Sequence, residues 1–516
     1  MATKILWVDD EIEVLKAQII FLEGKGYEVE KVTNGYDALE HIKEHPVDVV
    51  LLDESMPGMT GLETLAAIRE ANQHLPVVMV TKNEEENIME EAIGSQIADY
   101  LIKPVNPNQV LLSLKKIINK KDLVSEQTTR GYMTDLRNLM MTLQSSPNYT
   151  EWVELYKKLV YWELEIQNSG NQDMMEIFQS QKDEANNDWC KYVEKNYKSW
   201  LDGGEDTPLF SYQMFDKLVR PHLEDDKPIF FLLIDNLRYD QWKIIEPAFA
   251  ESFRVKEEKM LSSILPTTTQ YSRNAIFSGL MPKDIKKEFP NEWKDDAERG
   301  GKNMYEHKFL TYQLGQLGHS GMKHSYTKVT NHEKGEELVN NIHNLLQNKL
   351  NVIVYNFVDM LSHARTELEV LKELANDEVS YRSLTKSWFE HSPLHQAIKK
   401  IADKDITVIV TTDHGTIRVK NAHKVKGDRD ATTNIRYKHG KNLDYDQKEV
   451  CYLGSPETIG LPKPNLNSSY IFAKYDGYLC YPNNYNHYVK YFKNTFQHGG
   501  ISLEEMLIPF VVMESK

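Results

Sequence analysis

Cysteine is scarce in this chain: three residues in 516, at positions 190, 451 and 480, with no C-x-x-C spacing among them. That excludes a disulfide framework and a thiolate zinc site. Long apolar runs are also missing, since the longest, such as Ile229–Ile234, fall far below the roughly 20 residues that span a bilayer. No membrane insertion is expected. Positive charge is in deficit too: 61 Lys and Arg against 77 Asp and Glu leave a formal net charge of −16. This argues against a general nucleic-acid coat or an anionic-membrane binder. A strand pattern opens at Lys4 with no basic segment or apolar core ahead of it, so an unexported, cytoplasmic chain is expected. What remains is an ordinary globular composition, 41% hydrophobic and 27% charged, long enough for two to four domains.

Residues 4–121 alternate strand-like and helix-like patterns five times. The strand-like runs are 4–8, 27–32, 47–52, 76–81 and 99–102, with amphipathic segments such as Gly61–Ala71 and 107–118 between and after them. This is the pattern of a doubly wound (βα)5 sheet. Asp9, Asp10, Asp53, Thr81 and Lys103 fall at the carboxyl ends of those strands. Carboxylates gathered in this way repel one another unless a hard cation such as Mg²⁺ neutralises them, and one of them could then attack a phosphoryl donor. Lys103 would pair with the phosphoryl charge, and Thr81 would hydrogen-bond it.

The segments Val8-Asp9-Asp10, Leu51-Leu52-Asp53-Glu54-Ser55-Met56-Pro57-Gly58 and Tyr100-Leu101-Ile102-Lys103-Pro104 resemble the CheY-like response-regulator receiver domain. The resemblance implies that Asp53 is the phospho-acceptor and that Asp9, Asp10 and Asp53 form a Mg²⁺ pocket. It also implies a switch relayed through Thr81 and Tyr100, and a cis Lys103–Pro104 bond.

From 122 to 226 the β-type runs give way to helical spacing at 133–143, 149–167, 171–198 and 209–218. A small helical bundle is expected, with Trp152, Trp162, Trp189 and Trp200 as core. It reads as a linker that transmits or dimerises. Neither a helix-turn-helix nor a basic helix is found, so a DNA-binding output has little support.

The remaining residues, 227–516, carry polar side chains at strand ends again. Asp235 follows the run 228–234, and Thr267-Thr268-Thr269 precedes a helical segment at 271–280. Asp359 and His363 follow the run 351–358, the β-branched run 406–412 breaks into Asp413-His414-Gly415, and His498-Gly499-Gly500 comes late. Each alone has a plainer explanation as a strand-ending turn, an N-cap or a structural histidine. Together they make two ligand sets in a second doubly wound sheet: Asp359, His363 and His498 for one Zn²⁺, and Asp235, Asp413, His414 and the Thr269 oxygen for another. Two such ions about 4 Å apart stabilise the attacking and leaving oxygens on one phosphorus. Coordination would also lower the pKa of the Thr269 hydroxyl, making it a usable nucleophile.

This order and spacing resembles the alkaline phosphatase superfamily, and more closely its PglZ branch. The choice of Thr269 among the three threonines rests on Pro266-Thr267-x-Thr269 with Phe277-Ser278-Gly279-Leu280-Met281-Pro282, which resembles the nucleophile segment of nucleotide pyrophosphatase/phosphodiesterases. Arg273, one turn on, is a candidate to bind a nonbridging oxygen. A basic, irregular stretch containing Arg418, Lys420, His423, Lys424, Lys426 and Arg429, and further on Arg436, Lys438, His439 and Lys441, is expected either as an electropositive lid or as a solvated loop. Tyrosines from Tyr470 to Tyr491 follow, as base-stacking or core residues.

Three segments, 1–121 as receiver, 122–226 as helical linker and 227–516 as an alkaline-phosphatase-like α/β domain, resemble in this order the PorX-like response regulators of the type IX secretion system. That resemblance implies a sensor histidine kinase as phosphate donor, homodimerisation on phosphorylation, and contacts with secretion-system components or a sigma factor. Two functions follow. One is a zinc-dependent phosphodiesterase for nucleotides or oligonucleotides, diesters being favoured because no third-metal site is evident. The other is a non-catalytic signalling adaptor with a structural zinc domain.

Overall fold

The computed structural model describes residues 3–72, 75–82, 97–361, 377–428, 432–463 and 467–516. The chain divides into two compact units, Met1–Gly131 and Tyr132–Lys516. In the first, β1 (Lys4–Val8), β2 (Glu28–Val32), β3 (Val49–Asp53), β4 (Val77–Thr81) and β5 (Asp99–Ile102) form a parallel sheet in the order β2-β1-β3-β4-β5. Successive side chains of a strand face opposite sides, so unbroken apolar runs require cover on both. Accordingly Ile5, Trp7 and Leu51 join one buried cluster, while Leu6, Val8 and Leu52 join another. This is the expected CheY-like arrangement, with a cis Lys103–Pro104 peptide.

The helix that starts at Pro107 does not stop near 118. It runs Pro107–Gln144 and absorbs the segment expected as a separate helix at 133–143. The intervening residues show no apolar period, but they contain no proline to break the helix. The helix ends ahead of Ser145-Ser146-Pro147, where Ser146 takes φ 56°. Tyr149–Ser169 opens with a capping box between Asn148 and Glu151 and closes on left-handed Gly170; Gln172–Leu201 follows. The continuous helix expected at 209–218 is instead a 3₁₀ turn Ser211–Gln213, a wide π turn Phe215–Val219 and a short helix Arg220–Leu223. Pro221 has no N–H to offer an ordinary helical ladder there. The four tryptophans of the linker are core: Trp152, Trp189 and Trp200 are no more than 2% exposed and Trp162 is 7% exposed.

The second unit contains β6 (Ile229–Ile234), β7 (Phe253–Ser262), β8 (His324–Val329), β9 (Leu350–Tyr355) and β10 (Thr407–Thr411). Short strands follow: β11 (Ile417–Arg418), β12 (Asn421–Lys424), β13 (Tyr437–Lys441), β14 (Val450–Cys451), β15 (Ser468–Ala473), β16 (Gly477–Cys480) and β17 (Phe496–Gln497). The last is β18 (Leu507–Ser515). The main sheet has the order β7-β18-β10-β6-β9-β8, parallel from β10 to β8, with β18 antiparallel to both of its neighbours. β6 lies between β10 and β9, with Thr411 opposite Leu233 and Ile234 opposite Tyr355. The residues that follow these three strands therefore leave the sheet side by side.

A buried ionic network joins the middle helices to this sheet. Arg382 donates to Glu163 Oε1 at 2.6 Å, to Gln167 Oε1 at 2.6 Å and to Asp240 Oδ2 at 3.0 Å. Lys182 lies 2.8 Å from Glu163 and 3.1 Å from Glu504, while Arg238 pairs with Asp240 and Glu378. Burial opposes ionisation of Glu163, but Lys182 and Arg382 outweigh it and hold its carboxyl below the usual range. Removing one partner of such a group strands the remaining charges. Arg382→Met should therefore cost about 3–5 kcal/mol, read as a lower urea midpoint for the second unit. An unchanged midpoint would show that the network adds no net stability.

Candidate active site

Three strand ends converge on the candidate site. After β6, Asp235 leads into Asn236, which takes a left-handed φ of 65°. That turn sends the Asn236 backbone N–H to Asp413 Oδ1 at 3.3 Å and its side-chain amide to Asp359 Oδ1 at 3.5 Å. After β10, Thr412 Oγ1 accepts from Leu237 N–H at 3.0 Å and donates to the His414 carbonyl at 2.9 Å, fastening the two loops together. Gly415 is required by closeness: a Cβ there would lie 2.0 Å from the Glu504 carbonyl oxygen.

Asp235, Asp413 and His414 are fully buried, and each offers a ligand atom within 4.8 Å of the others. The His414 Nδ1 lies 3.0 Å from the Gly415 carbonyl oxygen. A carbonyl only accepts, so Nδ1 carries the proton and the Nε2 lone pair faces the acids. From Nε2 it is 3.2 Å to Thr269 Oγ1, 3.8 Å to Asp413 Oδ2 and 4.0 Å to Asp235 Oδ1. The Thr269 hydroxyl also lies 3.3 Å from Asp235 Oδ1. Thr269 is the first residue of the helix Thr269–Ser278, and Asn303 Nδ2 donates to its carbonyl at 3.0 Å.

The neighbouring threonines point elsewhere. Thr267 donates to the Gly500 carbonyl and accepts from Gly499 N–H, and the buried Thr268 Oγ1 has no hydrogen-bond partner among the described residues.

The second expected ligand set is described in part. His498 Nε2 lies 3.6 Å from Asp359 Oδ1, and its Nδ1 faces the Thr267 carbonyl at 3.3 Å, the same tautomer lock as at His414. The two imidazoles stack with centroids 4.4 Å apart, so the two sets adjoin. Gly499, at φ 122°, turns the chain between Thr268 and Tyr437, where a Cβ would not fit. His363 lies outside the described residues.

Arg273 is corrected by the structure. It is 1% exposed, with its guanidinium committed to Asp235 Oδ2 at 2.6 Å and Glu306 Oε1 at 2.5 Å, so it does not face an open substrate site. Glu306 in turn takes Tyr326 at 2.5 Å and Lys328 at 3.0 Å. Sequence reasoning missed Glu306, Tyr326, Lys328 and Asn236; only Asn236, next to a strand-end aspartate, left a local signal.

The electropositive lid is corrected as well. The stretch is not irregular, because it contributes β11, β12 and β13 to small sheets, and several of its charges are met by acidic side chains. Arg436 is buried against Glu505 and Lys420 faces Asp476; His423 pairs with Glu449, and Lys426 with Asp444. Lys438 is 1% exposed over the Tyr481 ring, and burial lowers it to about 7. Arg429 lies outside the described residues. Tyr470, Tyr475 and Tyr478 are core.

The donor set fits a divalent cation. Burial makes the Asp413 carboxyl hard to ionise, and the charge of Asp235 adds to this, so its pKa stands well above the carboxylate range. Burial also opposes ionisation of Asp235, but Arg273 and His414 outweigh it and hold it low. The two carboxyls are thus pushed in opposite directions, Asp235 towards its anion and Asp413 towards its protonated form. Asp413 Oδ2 is buried with no hydrogen-bond partner among the described residues. Two carboxylates, a neutral imidazole nitrogen and a hydroxyl are donors that suit zinc and similar borderline ions.

In the first unit, Asp9, Asp10 and Asp53 likewise bring ligand oxygens within 4.8 Å of one another. Lys103 Nζ lies 2.7 Å from Asp9 Oδ2 and 2.9 Å from Asp53 Oδ1, and Thr81 Oγ1 donates to Glu54 Oε2 at 3.3 Å. Burial raises the Asp53 carboxyl above its ordinary value, against the pull of Lys103. Tyr100, on β5, is half-buried beside Met79 in the register.

Fold and site together define a receiver domain followed by an alkaline-phosphatase-like α/β domain. Residues 214–513 match the BREX system PglZ alkaline phosphatase-like domain, 122–201 the PorX response regulator linker domain, and 5–115 the response regulator receiver domain. The chain belongs to the PglZ alkaline phosphatase-like family, and its three matched segments are those of a PorX-like response regulator. The transcriptional regulatory protein SrrA of Staphylococcus aureus is 29% identical over 136 residues, which are 26% of this chain and 56% of that protein. The chain thus spans about half the length of the curated relatives it matches. The chemotaxis protein CheY4 of Vibrio cholerae is 31% identical, covering 23% of this chain and 99% of that one, with a TM-score of 0.22. A CheY-like receiver from Methanospirillum hungatei is 28% identical, covering 23% and 96%, with a TM-score of 0.23. Among the described residues no helix is long and apolar enough to cross a membrane.

The Asp235–Asp413 pair generates a test. A carboxyl raised in the folded state binds protons that the unfolded chain has lost, so metal-free stability should fall as pH rises from the carboxylate range through the Asp413 pKa. A cation taking the place of a proton on Asp413 should release it, up to about one per ion. Calorimetry of Zn²⁺ binding in buffers of different ionisation enthalpy reads this directly. Asp413→Asn should remove the release, and a wild type that releases no proton would contradict the shared-proton assignment.

Proposed function

We propose that the chain is a response regulator whose receiver, phosphorylated at Asp53, controls a metal-dependent phosphodiesterase of the PglZ domain. Nucleotides or oligonucleotides are the substrate class. The observation that carries this reading is the position of the Thr269 hydroxyl, at the start of a helix between Asp235 Oδ1 and His414 Nε2.

Asp235, Asp413, His414 and the Thr269 oxygen would hold one Zn²⁺, and Asp359, His363 and His498 a second. When bound, the ions would supply positive charge for the attacking and leaving oxygens and favour the ionised Thr269 hydroxyl. Thr269 attacks phosphorus, the P–O bond to the leaving alcohol breaks, and a phospho-threonine ester forms; water then releases it. Arg273 acts on Asp235, holding one carboxylate oxygen so that the other faces Thr269. The helix amino terminus adds its partial positive charge beside the phosphoryl group.

For regulation, we propose that segments 1–121, 122–226 and 227–516 act in series. A sensor histidine kinase would supply the phosphoryl group, with Mg²⁺ held by Asp9, Asp10 and Asp53. Lys103 would exchange its present carboxylate partners for the phosphoryl charge, and Thr81 and Tyr100 would relay the change. Homodimerisation would follow, with type IX secretion components or a sigma factor as partners. The adaptor alternative would use the same switch with the metal domain as a structural element.

Hydrolysis of bis(p-nitrophenyl) phosphate tests the chemistry. The wild type with Zn²⁺ should turn over, while Thr269→Ala or chelator should lower kcat by at least about a thousandfold, in the range lost when a covalent nucleophile is removed. Equal rates in all samples would leave the adaptor reading. For the switch, acetyl phosphate should shift the wild type towards dimer in sedimentation velocity, and Asp53→Ala should stay put. A mutant that still shifts rules out Asp53.

A further inference from the structure

Beside the candidate site, at the carboxyl ends of β8 and β9, lies a cavity of about 350 Å³. Val329, Tyr355, Phe357, Trp388 and Pro393 make its wall largely apolar. The Phe357 and Trp388 rings stack with centroids 4.1 Å apart and planes 3° apart, a flat aromatic face at right size for another ring. Polar side chains line it as well, Asn331 and His391 among them. Asn331 spends its carbonyl oxygen on the Lys334 N–H, and His391 sets Nδ1 against the Ser387 carbonyl, so an amide N–H₂ and an imidazole Nε2 are the groups they keep for a ligand.

The cavity and the metal ligands share one helical turn. Residues 357–361 are helical, so Phe357 and Met360, three apart, face the cavity together, while Asp359 is turned about 100° from Met360 and about 160° from Phe357, towards His498. The α-carbons of Asp359 and Met360 are about 3.8 Å apart. The cavity and Asp359 therefore adjoin along the chain. The place is also the one where open parallel sheets bind ligands, outside the carboxyl ends of the strands.

We propose that this cavity takes the nucleobase of a nucleotide phosphodiester, stacked on the Phe357–Trp388 face, with its edge met by Asn331 and His391. The inference rests on the phosphodiesterase reading and deepens it by naming what the enzyme holds besides phosphate. Stacking uses the ring face that every base has, so discrimination among bases should be slight.

The test uses the full chain with Zn²⁺ and two esters of p-nitrophenol that share a chromogenic leaving group. One is p-nitrophenyl thymidine 5′-phosphate; the other, methyl p-nitrophenyl phosphate, has no base. Trp388→Ala should raise KM for the nucleotide ester about tenfold, the scale of one lost base stack, and leave the methyl ester unchanged. His391→Ala, at an exposed position, should raise the nucleotide KM less and guards against a misfolded Trp388 variant. Calorimetric binding of AMP gives a readout without turnover, weakened in both variants and retained in Thr269→Ala. If both variants keep the wild-type nucleotide KM and AMP affinity, the cavity assignment is overturned while the phosphodiesterase reading stands. If the wild type cleaves neither ester, that reading fails, and AMP binding that depends on Trp388 would still support a nucleobase site.

Discussion

Two carboxylates buried side by side are the constraint on which the second unit turns. Asp235 and Asp413 sit at the ends of adjacent parallel strands with no water-exposed surface, where like charges cannot both persist without a counter-charge. Arg273 satisfies half of the demand by gripping Asp235, and Glu306, Tyr326 and Lys328 in turn fix Arg273. The other half is left to a proton or a cation. This asymmetry puts one oxygen of Asp235 beside the Thr269 hydroxyl and leaves Asp413 Oδ2 without a hydrogen-bond donor among the described residues.

Elsewhere in the unit, charges are closed on themselves. Arg382, Lys182 and Arg238 are matched to Glu163, Asp240, Glu378 and Glu504, so that the helices Tyr149–Ser169 and Gln172–Leu201 belong to the same compact unit as the sheet. Glu504 and Glu505 occupy the short helix that follows His498-Gly499-Gly500, and Glu505 accepts from the Gly500 N–H. The ionic core and the loops that carry the candidate ligands are thus consecutive pieces of chain. Such a network specifies geometry more than it adds stability.

Much of this was legible because strand-end chemistry is local. The β-branched run at 407–411 and its break into Asp413-His414 announce both the strand and its ligands, and Asp235 follows the same rule. Thr269 was reached by likeness of pattern, and the structure puts its hydroxyl, rather than that of Thr267 or Thr268, among the acids. Arg273 was misread because one helical turn of spacing tells which side a residue faces, not who else is there; Glu306 comes from a distant helix with no periodic signature. The basic stretch misled for the same reason, since Glu505, Asp476 and Glu449 lie far from it in sequence. Helix limits failed where polarity hid helix, at 119–130, and where Pro221 distorted it.

The two histidines carry a last consequence. His414 and His498 each direct Nδ1 at a backbone carbonyl of the same chain, so neither ring has to turn over to present Nε2. In kinetic terms, a cation entering such a site would meet nitrogen donors already aimed at it. In evolutionary terms, the scaffold that holds these rings belongs to the main chain. Side chains around the centre can therefore drift while the aim of both imidazoles is kept.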